Sequence, residues 1–545
     1  MHSRKRRSPF NVLAIAAFAV VLLGADKVDP KLDAPPAGLV PTKARLADIL
    51  AQHERSLGTR TPGLADTATE HWTFVLAGQN GTETLERAGT NYRSHIERGP
   101  LIEEFGQIDG KRWHRDFNGV VSPMTDSDEF SFYGSRIVED AADPKNDVTV
   151  AGETATTPRD YVLEVKKPGA KHPEWLFFDE TGGDVVRAEF AAGKRRYSTT
   201  YDDFHTTQGT RRAWHVHDSD GRAQVDTDWH RVSLDAGKPI PATRFAQPAS
   251  NATVVEGLLQ RANIPAKFYF GMVVVRLSVQ GRGLDFVVDS GSKDSVIDRD
   301  VAADLSLPTY GQVTQLDDGT KYGYDTKIAD ATVGPIRLQN FALRAEEYNY
   351  DATREMKIVG VLGYDFLAAN AFKMDFVNSS LDVIPSKDFT APDGALPAQM
   401  ELDNGIPLVS MYIGENVAKR VVFDTNEPWT MVFGSYIDAH PTDFTDMHGK
   451  HGTRVAPFAD DRSNAFGQSL EIWVDQVSHL QLSLADYRMR PVMVTNFPYS
   501  LGGDDVDAIV GADFYEFYDV YFDYPHDRIY LKPNDNFFKV FKKNP

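Results

Sequence analysis

The stretch Leu284 to Ile297, LDFVVDSGSKDSVI, decides how the rest of this chain is read. Leu284, Phe286, Val287 and Val288 make a β-prone apolar run, and Ser290 and Gly291 turn the chain away directly after Asp289. A carboxylate is thereby delivered to the end of a strand on a short tether. Alone, the triplet is a strand ending in a polar turn. Its surroundings set it apart, because Ile358 to Leu367 reads IVGVLGYDFL, an apolar run broken by Gly360 and Gly363, and the strand-like pair AFKMDFV and LDVIP follows.

A second copy of this order lies farther along. GIPLVSMYIGENVAKRVVFDTNEPWTMVFG sets Asp424, Thr425 and Asn426 against Asp289, Ser290 and Gly291. DAIVGADFYEFYDVYFDYPHDRIYLKP then answers VGVLGYDFLAANAFKMDFVNSSLDVIP. Gly363, Asp365, Phe366, Asp375 and Pro385 each meet their match 148 residues later, in Gly511, Asp513, Phe514, Asp523 and Pro533. The two aspartates are 135 residues apart, so the second copy holds a net insertion of 13 residues between its motifs. Duplication of one β unit accounts for both offsets.

This order, an apolar strand, Asp-Ser/Thr-Gly, then apolar-apolar-Gly (Val361, Leu362, Gly363), resembles the retropepsin-like aspartyl proteases, here with two lobes in one chain. The resemblance implies a pseudo-dimer of two acid-protease β-barrel lobes with Asp289 and Asp424 as the catalytic pair. It implies that Ser290, Gly291, Thr425 and Asn426 shape the catalytic loops, with the hydroxyls of Ser290 and Thr425 locking one loop to the other. Gly360, Gly363 and Gly511 belong to the strands that pass beneath those loops. Asp318 and Gly319 fit a hairpin tip that would serve as a flap over the first lobe, and Ser463 to Gly467 would serve the second. The second triplet departs from the family, which has glycine where Asn426 stands. Asparagine accepts left-handed backbone more readily than other residues with a Cβ, but its side chain would crowd the cleft.

Two carboxylates held near contact share one proton, because both cannot ionise cheaply. One then takes a proton from a water while the other hydrogen-bonds the peptide carbonyl, which gives hydrolysis of peptide or protein substrates without a covalent intermediate. The pair titrates as a unit, so neither role is assigned to one residue, and an acidic optimum is expected. Two other readings stay open. First lobes of two molecules could pair, or the lobes could be a degenerate protease fold that binds a peptide or lipid without cutting it, a reading to which Asn426 lends weight.

The rest of the 545 residues divides around these lobes, and 41% apolar residues with 11% aromatics suffice for several cores. Residues 1–25 read as a secretory signal, with the basic HSRKRR before an apolar run from Phe10 to Leu23. That run is shorter than the roughly 20 apolar residues of a membrane span, so no stable insertion is expected once the signal is removed. The protein is expected to be exported, periplasmic or secreted. Residues 26–40 form a flexible leader, and 41–240 an N-terminal domain. There, PTKARLADILAQHERSLG is a helix capped by Thr42, and recurrent alternating strands from Trp72 to Leu234 make a curved antiparallel sheet. This element order weakly resembles periplasmic lipoprotein-carrier half-barrels. Residues 241–263 and 389–400 are linkers flanking a first lobe over 264–388, and the second lobe runs from 401 to 545.

Composition narrows the chemistry further. The chain has no cysteine, which removes disulfides, thiol nucleophiles and thiolate metal sites. Its formal charge of −20 becomes −24 without residues 1–25, since Arg4, Lys5, Arg6 and Arg7 leave with them. Such a surface repels phosphate backbones and argues against nucleic acid as a partner. His215 with His217 and His448 with His451 have spacings that could hold a metal, but each lacks a third ligand nearby, so no metal and no cofactor is expected. His53-Glu54 opens like a zinc-protease helix, but Leu57 stands where the second histidine is needed. A monomer with an intramolecular pseudo-dimer is expected.

Overall fold

The computed structural model describes residues 32–541, except 58–66, 77, 125–140, 142, 169, 171, 193–194, 222–225, 251–260, 270, 312–323, 347, 349, 354–355, 446–452, 455–471, 496–498 and 502–503. The chain is mainly β, as its alternating patterns lead one to expect. The signal segment, His448, His451 and both expected flap tips, Asp318 with Gly319 and Ser463 to Gly467, lie outside the described residues. Among the described residues no helix is long and apolar enough to cross a membrane.

The N-terminal part is one large antiparallel sheet. It runs from Val121–Pro123 through successive hairpins to Thr67–Leu76, whose partner is the last strand, Thr227–Ala236. From there it continues backwards along the chain to Asp147–Thr154 and Leu39–Val40. Alternation puts one side chain in two inward. Trp72, Leu163, Leu176, Phe178, Phe190 and Tyr201 gather on one face, and the helix Leu46–Ser56 lays Ile49 against them. Thr42 does not cap that helix. Its hydroxyl accepts from the amide of Ala44, and the helix starts after Arg45, whose side chain pairs with Asp48. His53 is a core residue, its Nδ1 donating to the Gly183 carbonyl at 2.8 Å, with its ring edge-on to Phe178. His215 pairs with Asp202 and Asp228, and His217 with Asp228, so carboxylates satisfy both on the sheet surface.

The sheet continues past its apparent end into the rest of the chain. Pro241 to Phe245, read as linker, packs back on it, with Phe245 buried and its carbonyl accepting from Trp113 Nε1, while Arg244 pairs with Glu86. Residues 396–400, also read as linker, begin the strand Leu396–Asp403.

Two lobes follow with the same internal wiring. In the first, Arg282–Val288 runs parallel to Met356–Leu362, and Val296–Asp298 runs antiparallel to that same strand. In the second, Asn416–Phe423 runs parallel to Ala508–Val510, and Met431–Phe433 runs antiparallel to it. Each lobe therefore threads the strand that leads into its aspartate beside one that leads into Gly363 or Gly511.

A shared sheet joins them. Its order is Ala262–Tyr269, Ser380–Pro385, Asn370–Asp375, Tyr518–Asp523, Arg528–Pro533 and Leu396–Asp403, with the junction where Asn370–Asp375 meets Tyr518–Asp523. In that junction Lys373 lies opposite Tyr521, its own counterpart 148 residues on. The pseudo-two-fold axis of the duplication thus passes between these two residues. Phe372, Phe522, Phe423, Tyr515 and Phe366 fill one continuous core across the lobes, which fixes the two halves as a single body.

Candidate active site

Each aspartate ends a strand whose neighbours hold it in place. Asp289 donates its amide to the Leu362 carbonyl at 3.0 Å, and Asp424 donates its amide to the Val510 carbonyl at 3.2 Å. The chain then turns so tightly that the next amide but one folds back on the carboxylate. Gly291 N donates to Asp289 Oδ1 and Asn426 N to Asp424 Oδ1, both at 2.7 Å. These turns aim the two carboxyl groups at each other across the lobe boundary, within hydrogen-bonding reach.

The loops are tied crosswise. Ser290 Oγ donates to the Phe423 carbonyl at 2.6 Å, and Thr425 Oγ1 donates to the Val288 carbonyl at 2.8 Å. Each hydroxyl also accepts, Thr425 Oγ1 from Ser290 N at 2.9 Å and Ser290 Oγ from Thr425 N at 3.1 Å. Four buried bonds therefore close a ring around the axis, and no lobe can slide without breaking all of them.

The glycines serve close approach, not handedness, since none has a positive φ. A Cβ on Gly360 would come within 2.3 Å of the Phe286 ring and of the Val296 carbonyl oxygen, and one on Gly363 within 2.7 Å of the Ser292 carbonyl. On Gly511 it would lie 2.6 Å from the Trp429 backbone. A Cβ on Gly291 would sit 2.5 Å from Asp424 Oδ2. Asn426 shows no left-handed backbone either, so the turn does not depend on that tolerance. Its side chain reaches across instead, Nδ2 donating to Asp289 Oδ2 at 3.2 Å.

Burial pushes Asp289 well above the ordinary carboxylate range, and the charge of Asp424 pushes it further, against the pull of donors from Gly291 and Asn426. Asp424 is also raised by burial, but amide donors from Asn426 and Glu427 restrain it. One proton shared by the pair satisfies both.

Several site residues escape sequence reading. Ser295 and Thr430 share the offset of the aspartates, and each holds the acid of its own lobe. Asp365 accepts from Ser295 Oγ at 2.5 Å and Ser295 N at 3.1 Å, and Asp513 accepts from the amide and hydroxyl of Thr430, both at 2.8 Å. The two offsets, 135 for the hydroxyls and 148 for the acids, pair these four in the sequence, but only the fold shows what they bind. Glu427, directly after the second triplet, is buried and held well above its usual range, by burial first and by the charge of Asp424 second. Tyr515 donates its hydroxyl to the Asp424 carbonyl at 2.9 Å. Among the described residues no cluster of His, Cys, Asp or Glu could hold a metal.

Comparison with known proteins bears on the first lobe. Residues 275–366 match the family model described as aspartyl protease, a span that includes Asp289, Ser290, Gly291, Gly360 and Gly363. No curated protein matches the sequence. Similar solved structures include a LolA superfamily protein from Nitrosomonas europaea, 13% identical, covering 37% of this chain and 98% of its own at a TM-score of 0.29. A DUF1329 family protein from Desulfovibrio piger is 14% identical, covering 38% of this chain and 98% of its own at a TM-score of 0.28. Basic 7S globulin from soybean is 10% identical, covering 52% of this chain and 97% of its own at a TM-score of 0.33.

Proposed function

We infer that this protein is an exported aspartic-type endopeptidase whose catalytic pair, Asp289 and Asp424, forms within one chain. The observation that carries this reading is the crosswise hydroxyl ring of Ser290 and Thr425, which holds two buried carboxyl groups face to face, where burial and mutual charge favour a single shared proton. The chemistry then follows from charge. The ionised member of the pair takes a proton from a water in the cleft, and the resulting nucleophile attacks the peptide carbonyl. The protonated member donates a hydrogen bond to that carbonyl, so charge developing on its oxygen is met in a water-poor site. In the tetrahedral diol that forms, that hydrogen-bonding proton has moved to the carbonyl oxygen; the proton taken from the water then passes to the amide nitrogen, the C–N bond breaks, and one hydroxyl of the diol returns its proton to the pair, with no bond formed to the enzyme. Export rests on the basic and apolar pattern of residues 1–25.

A second reading is favoured by one contact. Asn426 Nδ2 bonds Asp289 Oδ2 on the face of the pair where a glycine would leave open space, which suits a protein that binds a peptide or lipid without hydrolysing it. Cleavage of a peptide library by residues 26–545 from pH 3 to 7, beside Asp289→Asn and Asp424→Asn, separates the two. Acid-favoured cleavage lost in both variants supports the endopeptidase. Activity surviving in Asp424→Asn would reject the intramolecular pair, and no cleavage by any folded protein would favour the binding reading.

A further inference from the structure

One turn of the N-terminal domain inserts into the first lobe. Asp116 to Val120 forms a tight turn in which Asp116 Oδ1 accepts from the amides of Asn118 and Val120, and Gly119 takes a φ of +81°. The turn seats Val120 in the core of the lobes and buries Asn118, which is 2% exposed. Asn118 reads the Ala342 peptide on both sides, Oδ1 accepting from its amide at 2.7 Å and Nδ2 donating to its carbonyl at 3.1 Å. The same Nδ2 donates to Asp365 Oδ2 at 2.8 Å.

Asp365 is the acid that holds Ser295, and Ser295 closes the loop that starts at Asp289. Ser295 Oγ accepts from the Gly363 amide at 3.0 Å, its carbonyl accepts from Arg344 N at 2.9 Å, and the Ser292 carbonyl accepts from Tyr364 N at 2.8 Å. The second lobe builds the same cradle from its own residues, Asp513 with Thr430. The first lobe alone takes a donor from another domain, 247 residues away in sequence.

We propose that Asn118 is a positioning residue for the Asp289 loop, acting through Asp365, so that the N-terminal domain is a fixed part of the first half-site. Without its amide, Asp365 Oδ2 loses a buried donor and the Ser292–Ser295 turn loses its anchor. The loop would then sample positions in which Asp289 no longer faces Asp424. Displacements on the order of 1 Å at reacting groups cost up to about a hundredfold in rate.

The test reads the loop directly. Hydrogen–deuterium exchange is followed in the full chain and in Asn118→Ala, comparing residues 289–297 with the equivalent 424–432. Arg244→Ala serves as control, because it removes the ion pair with Glu86 in the N-terminal domain without touching Asp365. The expected result is exchange about tenfold faster in 289–297, unchanged exchange in 424–432, and neither effect in the control. Asn118→Asp keeps the shape, and it keeps a donor while its carboxyl is protonated. Its loop should therefore exchange closer to the natural protein at pH 4 than at pH 7, after correction for intrinsic rates, and this variant carries the test if Asn118→Ala does not fold. Equal exchange in 289–297 for all variants overturns the proposal. A turnover arm rests on the endopeptidase reading, with kcat falling about tenfold in Asn118→Ala at nearly constant KM. If the natural protein cleaves nothing, that reading fails while the exchange data still decide the role of Asn118.

Discussion

Ser290 and Thr425 exchange hydrogen bonds in both directions across the lobe boundary, each donating its hydroxyl to the carbonyl two residues before the other. Each hydroxyl is thus both donor and acceptor in a buried place. Replacing either by alanine strands a carbonyl and an amide at once, and unsatisfied buried groups cost about 1–3 kcal/mol each. Ser290→Ala and Thr425→Val should each lower stability by about that amount in urea unfolding. If the pair is catalytic, both should also lose turnover, although neither touches a substrate.

The two loops should respond in opposite ways to a change at their third residue. Gly291→Ala places a methyl carbon about 2.5 Å from Asp424 Oδ2, so a folded protein with no cleavage is expected. Asn426→Gly removes a donor that favours the ionised form of Asp289. The pair then holds its proton to higher pH, so the alkaline limb of the pH–rate profile should move up, and an unmoved limb would count against the contact as a tuning device.

Stability should peak in mild acid, for reasons distributed over the whole chain. Burial raises Glu83 to about 7 and both Asp116 and Asp218 to about 6. These groups bind protons more tightly folded than unfolded, so stability falls as pH rises from their ordinary range through 6 to 7. Glu70 and Glu104 are held down to about 2, Glu70 against burial by Arg87 and Arg231, Glu104 against burial by His95 and Arg93. Their contribution is present above the ordinary glutamate range and lost as pH falls towards 2. Thermal unfolding from pH 2 to 8 should give a maximum near pH 4 to 5, and Glu83→Gln should flatten the neutral side.

Glu427→Gln separates charge from shape beside the pair. In acid Glu427 is protonated, so glutamine changes little and turnover at pH 4 should stay within about twofold. At higher pH the natural residue adds a negative charge next to Asp424 and glutamine does not. That charge keeps the shared proton on the pair to higher pH, so the ratio of variant to natural activity should fall as pH rises.

The strands beneath the loops tolerate no side chain at their glycines. Gly511→Ala drives a methyl group into the Trp429 backbone, which cannot swing aside as a flexible side chain could. Overpacking of this kind costs about 1–3 kcal/mol or more, so a lower urea midpoint, or failure to fold, is expected.

What the sequence discloses follows from how each contact is encoded. The mainly β architecture and the curved sheet are legible because alternation is local, and the aspartyl protease resemblance is legible because its motifs are short and repeated. The offset of 148 aligns Asp365 with Asp513, yet their task as loop anchors is invisible, since an acid in YDFL or ADFY reads as surface until its donors are placed. Glu427 reads as a solvated acid for the same reason. Asn118 carries no signal at all, because its partners lie in another domain and neither spacing nor pattern links them. Thr42 misleads in the opposite direction, since a good capping residue sits four positions before the helix that Arg45 opens.

The meeting of Lys373 with Tyr521 makes the two halves of the lobe pair chemically unlike at their axis. On a true two-fold axis the residue at the axis faces its own copy, so a free dimer of the first half would press one Lys373 against another in a mostly buried place. In the fused chain the ammonium group instead finds Asp375 and Asp519 at 2.6 and 3.0 Å and lies near the Tyr521 ring. The two halves are unlike partners at this axis, and a single half would have to bring two Lys373 ammonium groups together in order to meet its twin.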